Sequence, residues 1–462
     1  MIKNENSTFK FETTTHKLAM WDITYYCNLS CKHCYNSENV LGNNKNQIAT
    51  MEQLNYIVSE IKELGFNEIN LAGGEPLTYP VIFELVERIR LEGIIPSINT
   101  NGLLLRKKTV DEFISLGFTN FSISLAGVSE QTNSTIRGND YFKVVLRNIR
   151  YLVDQISKKG LLNNVSINFS VSRFNISDLP NLYEFCIGLG VQNINVHLIQ
   201  PMGSAVNNIE IIEFESKRIL LGYEQLITSW GPDVNLTLDT RPIAAEYLNN
   251  KYYLTPKKTY FDCPAGKRNI YLKPDGEILL CKLMSTSNKS FSNKQQLNKT
   301  LYNKKSFLQM TKREFPKKPF ICSTCKHTNK CDPCPILTHG DLIPECETAM
   351  QFSEQFELEV LKKRIRISRG SQIIIRNDNE QIILNGERKF RLSGSGFFIW
   401  QLLQDDVMIV DLIGLILSKI SDISQQEIVE FIYHLRKLRL IFFDSDPLSP
   451  LPITCTLICC AR

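Results

Sequence analysis

The chain has 462 residues, more than one hydrophobic core supports, and so reads as two or three domains. A hydrophobic share of 43% is that of a soluble protein, and the formal charge of +5 is spread along the chain rather than gathered in a basic block, which argues against a nucleic-acid partner. Residues 1–16, MIKNENSTFKFETTTH, lack the apolar stretch of a secretion signal and no later run reaches membrane-spanning length, so the expected setting is cytoplasmic, with no membrane partner.

Residues 1–16 read as a disordered N-terminus. From 17 to about 240, short apolar runs alternate with longer amphipathic segments. The strand candidates are LAMWDIT, EINLAGG, PSINTNG, NFSISLAG, VSINFSV and INVHLIQ. Between them lie helix candidates such as MEQLNYIVSEIKELG, whose Leu54, Ile57, Val58 and Ile61 recur at helical spacing. Six such units predict an α/β fold, a partial (β/α)6 TIM-like barrel with its chemistry at the C-terminal strand ends. A flat doubly wound sheet has the same periodicity. Residues 241–350 turn irregular and dense in Cys, Pro, Lys and Asn, too polar to hold a core by apolar burial alone. Residues 351–364 read as a helical linker, and 365–444 as strands followed by three helices and a short strand, LIFFD. Phe398, Ile399, Leu402 and Leu403 share one helical face there, as do Ile428, Phe431, Ile432 and Leu435. A Pro-rich, Cys-containing tail, 445–462, is expected to be loosely held.

Fourteen cysteines in a chain with no export signal point to metal or catalysis rather than to disulfides. Cys186, in the apolar LYEFCIGLG, reads as a small hydrophobe. Cys27, Cys31 and Cys34 are different: Cys-x3-Cys-x2-Cys directly after a strand gathers three soft donors, which suit zinc or an iron–sulfur cluster. Structural zinc wants four ligands, and only His33 stands inside the loop. A four-iron cluster on three thiolates would keep one iron open.

This motif resembles the signature of the radical SAM superfamily, with His33 in the place usually held by an aromatic residue. The resemblance implies a 4Fe-4S cluster on Cys27, Cys31 and Cys34 whose open iron binds S-adenosyl-L-methionine, reduced by a flavodoxin or ferredoxin, so that a 5'-deoxyadenosyl radical forms. It extends to LAGGEP, where Gly73, Gly74 and Glu75 match the turn that receives the methionyl amino group. NTNG with Asn101 and SISLAG with Ser124 match strand ends that hold the ribose. Arg137 in TIRGND matches a partner for the cofactor carboxylate, and Leu198 flanks the adenine. Ala126 stands where relatives often carry Asp, so no role of that carboxylate carries over, and no catalytic base is assigned.

The seven cysteines of the middle segment resemble the SPASM domain of peptide-modifying radical SAM enzymes, which implies two auxiliary 4Fe-4S clusters. Cys322, Cys325, Cys331 and Cys346 match one cluster, and Cys263, Cys281 and Cys334 the other, whose fourth position has no matching cysteine. Two zinc ions would suit the same thiols. Residues 365–444 resemble the PqqD-like peptide chaperones, the RiPP recognition element, which capture a leader peptide by adding it to a sheet edge. Winged helices that read DNA share this outline, and the third helix carries His434, Arg436, Lys437 and Arg439. Together the resemblances imply a maturase of a ribosomally made precursor peptide, which abstracts a hydrogen and forms a thioether, carbon–carbon or related cross-link. Two other readings stay open: oxidation of a Cys or Ser in a protein partner, as in sulfatase maturases, and a non-catalytic, cysteine-rich peptide-binding scaffold. Cys455, Cys459 and Cys460 have no assigned role.

Overall fold

The computed structural model describes residues 2–4, 17–42, 48–138, 141–252 apart from 201, 214 and 241, 259–260, 268–279, 281–282, 349, most of 351–444, and 455–458. The chain divides into two compact units. One comprises Thr15–Ala245, Pro256–Thr348 and Ile453–Arg462; the other comprises Met1–Thr14, Glu246–Thr255 and Ala349–Pro452.

The larger unit is built on a mostly parallel sheet. β2 (Leu18–Thr24), β3 (Glu68–Gly73), β4 (Ile95–Thr100), β5 (Phe121–Leu125), β6 (Ser166–Val171), β7 (Asn193–Leu198) and β8 (Asn235–Asp239) pair in chain order, all parallel. The first six are the strands expected from periodicity; β8 is a seventh. Helices return the chain between strands. The helix Met51–Glu63 starts at a capping box, in which the Thr50 side chain accepts from the Gln53 N–H and the Gln53 side chain accepts from the Thr50 N–H. It buries Leu54, Ile57, Val58 and Ile61, the stripe read from the sequence. Each strand turns one face to these helices and the other to the lumen, which the period of two dictates. In β6, Ile167, Phe169 and Val171 are buried against the helices, whereas Ser166, Asn168 and Ser170 are half-buried on the luminal side.

The sheet continues past both outer barrel strands. β10 (Asn269–Leu272) lies parallel to β2, pairing Asn269 with Leu18 and Leu272 with Trp21, and β11 (Ile278–Leu279) returns antiparallel to β10. At the other side β18 (Cys455–Ile458) runs parallel to β8, with β9 (Thr259–Tyr260) beyond it. The tail expected to be loose therefore supplies a strand, because β8 would otherwise end the sheet with its N–H and C=O groups unpaired.

In the second unit, β12 (Arg364–Ile367) lies between β16 (Val407–Met408) and β17 (Ile441–Phe443). A separate meander is formed by β13 (Ser371–Asn377), β14 (Glu380–Asn385) and β15 (Arg388–Leu392). β1 (Ile2–Asn4), inside the segment expected to be disordered, pairs antiparallel with β15, since an edge strand offers it a row of unpaired backbone groups. Helices Gly394–Leu402, Ile409–Leu417 and Gln425–Lys437 share one core. Ile399, Leu403, Ile428, Ile432 and Leu435 are buried there, and Leu402 and Phe431 pack at its edge. Among the described residues no helix is long and apolar enough to cross a membrane.

Candidate functional site

β2 delivers the chain to the C-terminal side of the sheet, and Cys27, Cys31 and Cys34 follow within ten residues of its end. All three thiols are half-buried. Burial pushes the Cys27 thiol up to about 11, opposed by a backbone hydrogen bond at Leu29, and pushes Cys34 up to about 12, with the other thiols of the triplet adding to the effect. Among the described residues no group of three Cys, His, Asp or Glu side chains is already set to hold a metal ion, and the fold brings these three thiols to one strand end. Three soft donors on one loop remain a set suited to an iron–sulfur cluster. His33 is half-buried, and its Nδ1 is shielded from solvent and unpartnered. Burial, aided by the Arg137 charge, lowers it to about 3, so its imidazole is neutral at physiological pH.

The loop is braced from three sides. Lys32 N–H donates to the Ile136 carbonyl at 3.1 Å and Ser204 N–H to the Cys34 carbonyl at 2.9 Å. From the end of β3, Gly74 N–H donates to Thr24 O and Glu75 N–H to Tyr26 O, both at 2.8 Å. This last approach explains the paired glycines. Gly73 has φ +121°, and a Cβ on Gly74 would lie 2.1 Å from Tyr26 O and 2.7 Å from Tyr25 O.

Glu75 is buried, yet its carboxylate is well supplied. Oε1 accepts from Leu77 N–H at 3.1 Å and from Thr100 Oγ1 at 2.7 Å, and Oε2 accepts from Asn101 N–H at 2.8 Å. Burial raises its pKa; these donors and the Arg137 charge oppose the rise. Asn101 reaches back to the cysteine loop, its Nδ2 donating to Asn28 Oδ1 at 2.8 Å. Arg137, buried at the end of the helix Glu130–Arg137, donates to the Ser124 carbonyl at 3.0 Å. Asn101, Ser124 and Arg137 line one narrow cavity with Asn133 and Tyr141. Glu75, Asn101, Ser124 and Arg137 thus converge beside the cysteine loop, whereas Leu198, half-buried at the end of β7, is absent from that cavity's lining.

Sequence reasoning missed the buried carboxyl beneath this loop. Asp22, fully buried in β2, accepts hydrogen bonds at Oδ2 from Asn36 Nδ2 at 2.8 Å and from the Tyr271 hydroxyl, while its Oδ1 is unpartnered. Desolvation pushes it up to about 7, against the Tyr271 and Asn36 hydrogen bonds and the nearby Lys282 charge. One signal was available: an ionisable residue inside the apolar run LAMWDIT. Its tyrosine partner lies 249 positions away and leaves no local trace.

Of the seven middle-segment cysteines only Cys281 is described, half-buried just past β11. Cys263, Cys322, Cys325, Cys331, Cys334 and Cys346 lie outside the described residues, as do Cys459 and Cys460. Cys186 is buried in the helix Leu182–Leu189 and its thiol is pushed up to about 12 by burial, as a small hydrophobe requires. Arg436, a candidate for a basic reading helix, is spent inside its own unit: it is buried, donates to the Asn250 carbonyl and lies 4.2 Å from the centre of the Phe443 ring.

Residues 21–186 match the profile of the Radical SAM superfamily. The AdoMet-dependent heme synthase of Methanosarcina barkeri is 27% identical over 213 residues, 45% of this chain and 58% of the relative. The mycofactocin maturase MftC of Mycobacterium tuberculosis is 25% identical over 183 residues, 40% of this chain and 44% of the relative. The chain thus spans about half the length of these two curated relatives. Among solved structures, Streptococcus suis SuiB superposes with a TM-score of 0.52, both bound to its precursor peptide SuiA, at 18% identity, and bound to S-adenosylmethionine, at 19%. The superpositions cover 71% of this chain and 74% and 75% of those chains, and they establish a shared fold. Fold, cysteine spacing and profile agree, and the chain carries a radical SAM superfamily domain at residues 21–186.

Proposed function

We propose that this chain is a radical SAM maturase of a ribosomally made precursor peptide. The observation that carries the proposal is the interlock at the C-terminal end of β2 and β3, where the Gly73–Gly74–Glu75 turn is hydrogen-bonded to the strand that leads into the cysteine loop. Cys27, Cys31 and Cys34 would hold a 4Fe-4S cluster, and Gly73, Gly74, Glu75, Asn101, Ser124, Arg137 and Leu198 would contact S-adenosyl-L-methionine. Bound together, cluster and cofactor would supply a radical able to take hydrogen from an unactivated carbon. The chain's own contribution is positional. The glycines clear room for close backbone approach, and Thr100, Leu77 and Asn101 fix the Glu75 carboxylate so that its charge faces an incoming ammonium without rearrangement. Arg137 holds a buried positive charge for a carboxylate.

The cysteines at 263, 281, 322, 325, 331, 334 and 346 would ligate two auxiliary clusters, with a flavodoxin or ferredoxin as reductant. Residues 365–444 would hold the leader of the peptide. The relatives support a peptide substrate, since MftC is a maturase and SuiB was crystallised with a precursor peptide. The test is anaerobic reconstitution with iron and sulfide, followed by assay of 5'-deoxyadenosine and of mass change in a candidate precursor peptide co-expressed with the chain. Formation of 5'-deoxyadenosine that is lost on Cys27→Ala, with a mass loss in the peptide, supports the proposal. Zinc in the triplet, or no 5'-deoxyadenosine from a fully reconstituted protein, would refute it.

A further inference from the structure

The lumen of the barrel is lined in an unusual way. A closed (β/α) barrel packs its interior with branched apolar side chains. Here a cavity of about 500 Å³ runs along the luminal face toward the N-terminal strand ends, and eight of the seventeen described residues that line it are asparagine. The strand register arranges them in rungs. Asn99, Ser122, Ser166, Asn193 and Asn235 are successive partners across β4 to β8. Above them Ser124, Asn168, Asn195 and Thr237 form a second rung.

Neighbours within the rungs bond to each other only in part. Asn195 Nδ2 donates to Asn168 Oδ1 at 2.9 Å, Asn235 Nδ2 to Asn193 Oδ1 at 3.1 Å, and Ser122 and Ser166 share a hydrogen bond of 2.8 Å. Asn70 donates to Ser97 at 2.8 Å and to Asn99 at 3.2 Å, but its Oδ1 is buried without a partner while lining the cavity. Asparagine is disfavoured in strands, and a buried polar group without a partner is costly. Most of these asparagines are half-buried, so the lining keeps hydrogen-bonding capacity that a polar occupant of the lumen can take up in place of water.

The chemistry of the wall narrows the filling. Among the described residues of the wall, Glu68 is the sole acid and His197 the sole histidine, and no lysine or arginine contributes, so the wall suits a solute without a charge of its own. A carboxamide carries the same donor and acceptor pair as a peptide group. Luminal residues of one strand recur every second position, about 6.6 Å apart, which is also the repeat of like-facing amides in an extended chain. The volume lies within the about 300–1,000 Å³ of known ligand cavities. The upper rung begins at Ser124, which lies outside the wall of the luminal cavity but is the strand partner of Asn168 and lines the cavity that holds Asn101 and Arg137.

We infer that the asparagine-lined lumen binds an extended, uncharged stretch of polypeptide main chain, the part of the substrate that continues beyond the reacting residue. This rests on the peptide-maturase reading for its substrate class and adds where that substrate runs. The rungs would read backbone amides rather than side chains, so the stretch they hold is free in sequence as long as it is uncharged and narrow.

The test uses the reconstituted full chain and N-acetyl-tetra-alanine amide as probe, titrated by saturation-transfer NMR. Zwitterionic tetra-alanine and sucrose serve as comparison solutes. The blocked peptide is expected to bind more tightly than either, and Asn168→Leu and Asn195→Leu each to weaken it about fivefold, the worth of one net hydrogen bond. Asn195→Asp, which keeps the side-chain shape, is expected to weaken it as well and covers the case in which a leucine variant fails to fold. Peptide-independent 5'-deoxyadenosine formation should be unchanged in all three. Equal binding by wild type and the folded variants, no binding by wild type, or sucrose binding as tightly as the peptide would overturn the inference. Absent 5'-deoxyadenosine formation in the wild type would instead refute the maturase reading and leave the binding result standing.

Discussion

Asp22→Asn isolates the energetic consequence of a carboxyl buried beneath the cysteine loop. In the unfolded chain this group titrates near the ordinary 3.8, and in the fold it is pushed up to about 7 by desolvation. Between those values the folded protein keeps a proton that the unfolded chain has released, so stability is lost as pH rises through the window. The loss is complete above about pH 8, where it amounts to about 4 kcal/mol. Asparagine is nearly isosteric with the neutral acid and can still accept from Asn36 and Tyr271, but it cannot ionise. Relative to wild type, Asp22→Asn should therefore gain roughly 2–3 kcal/mol of stability between pH 5 and pH 8.5. The measurement is urea unfolding of the metal-free, reduced protein, followed by the fluorescence of Trp21, which is fully buried in the same strand. Trp230 and Trp400 are replaced by Phe in both proteins so that Trp21 alone reports. Stability curves that stay parallel across this pH range would refute the argument, because they would mean that Asp22 ionises in the fold as readily as in water.

Gly74→Ala forces a Cβ to within 2.1 Å of Tyr26 O and should cost roughly 3 kcal/mol, with loss of iron uptake by the triplet, read by thermal melting and iron analysis. Thr100→Val removes the 2.7 Å donor from a buried carboxylate and should cost about 1–3 kcal/mol. It should also raise the Glu75 pKa, since that hydrogen bond opposes the effect of burial, and a carboxyl-region infrared titration would detect the change. Arg436→Met should destabilise residues 349–452 by roughly 1–3 kcal/mol through loss of the Asn250 hydrogen bond and the Phe443 ring contact, measured by urea unfolding through Trp400. No change in affinity for DNA is expected from the same variant, in a gel-shift assay.

The six strands from LAMWDIT to INVHLIQ were legible because each is a short apolar or alternating run between amphipathic helices, and such periodicity survives in the local text. The cysteine loop and the GGEP turn were legible because their spacing is itself the signal. What escaped is long-range. That β10 pairs with β2, that β18 pairs with β8, and that Tyr271 reaches Asp22 follows from which edge is left unpaired, and no window of ten residues encodes it. The luminal asparagines were visible as letters in VSINFSV and INVHLIQ, but their meaning depends on register across five strands. Arg436 reads as a surface charge from composition, and only packing against Phe443 shows it to be internal.

The order in which the sheet is completed bears on the protein's synthesis. The free flank of β2 is covered by residues 269–272, and that of β8 by residues 455–458. A ribosome adding about 5–20 residues per second needs roughly 12–50 s between the end of β2 and the strand that shields it. For that interval the nascent barrel presents an unprotected hydrogen-bonding border, the feature on which chains most readily join to one another. Residues 455–458 seal the opposite border later still, so a chain that lacks only that strand is still an adhesive one.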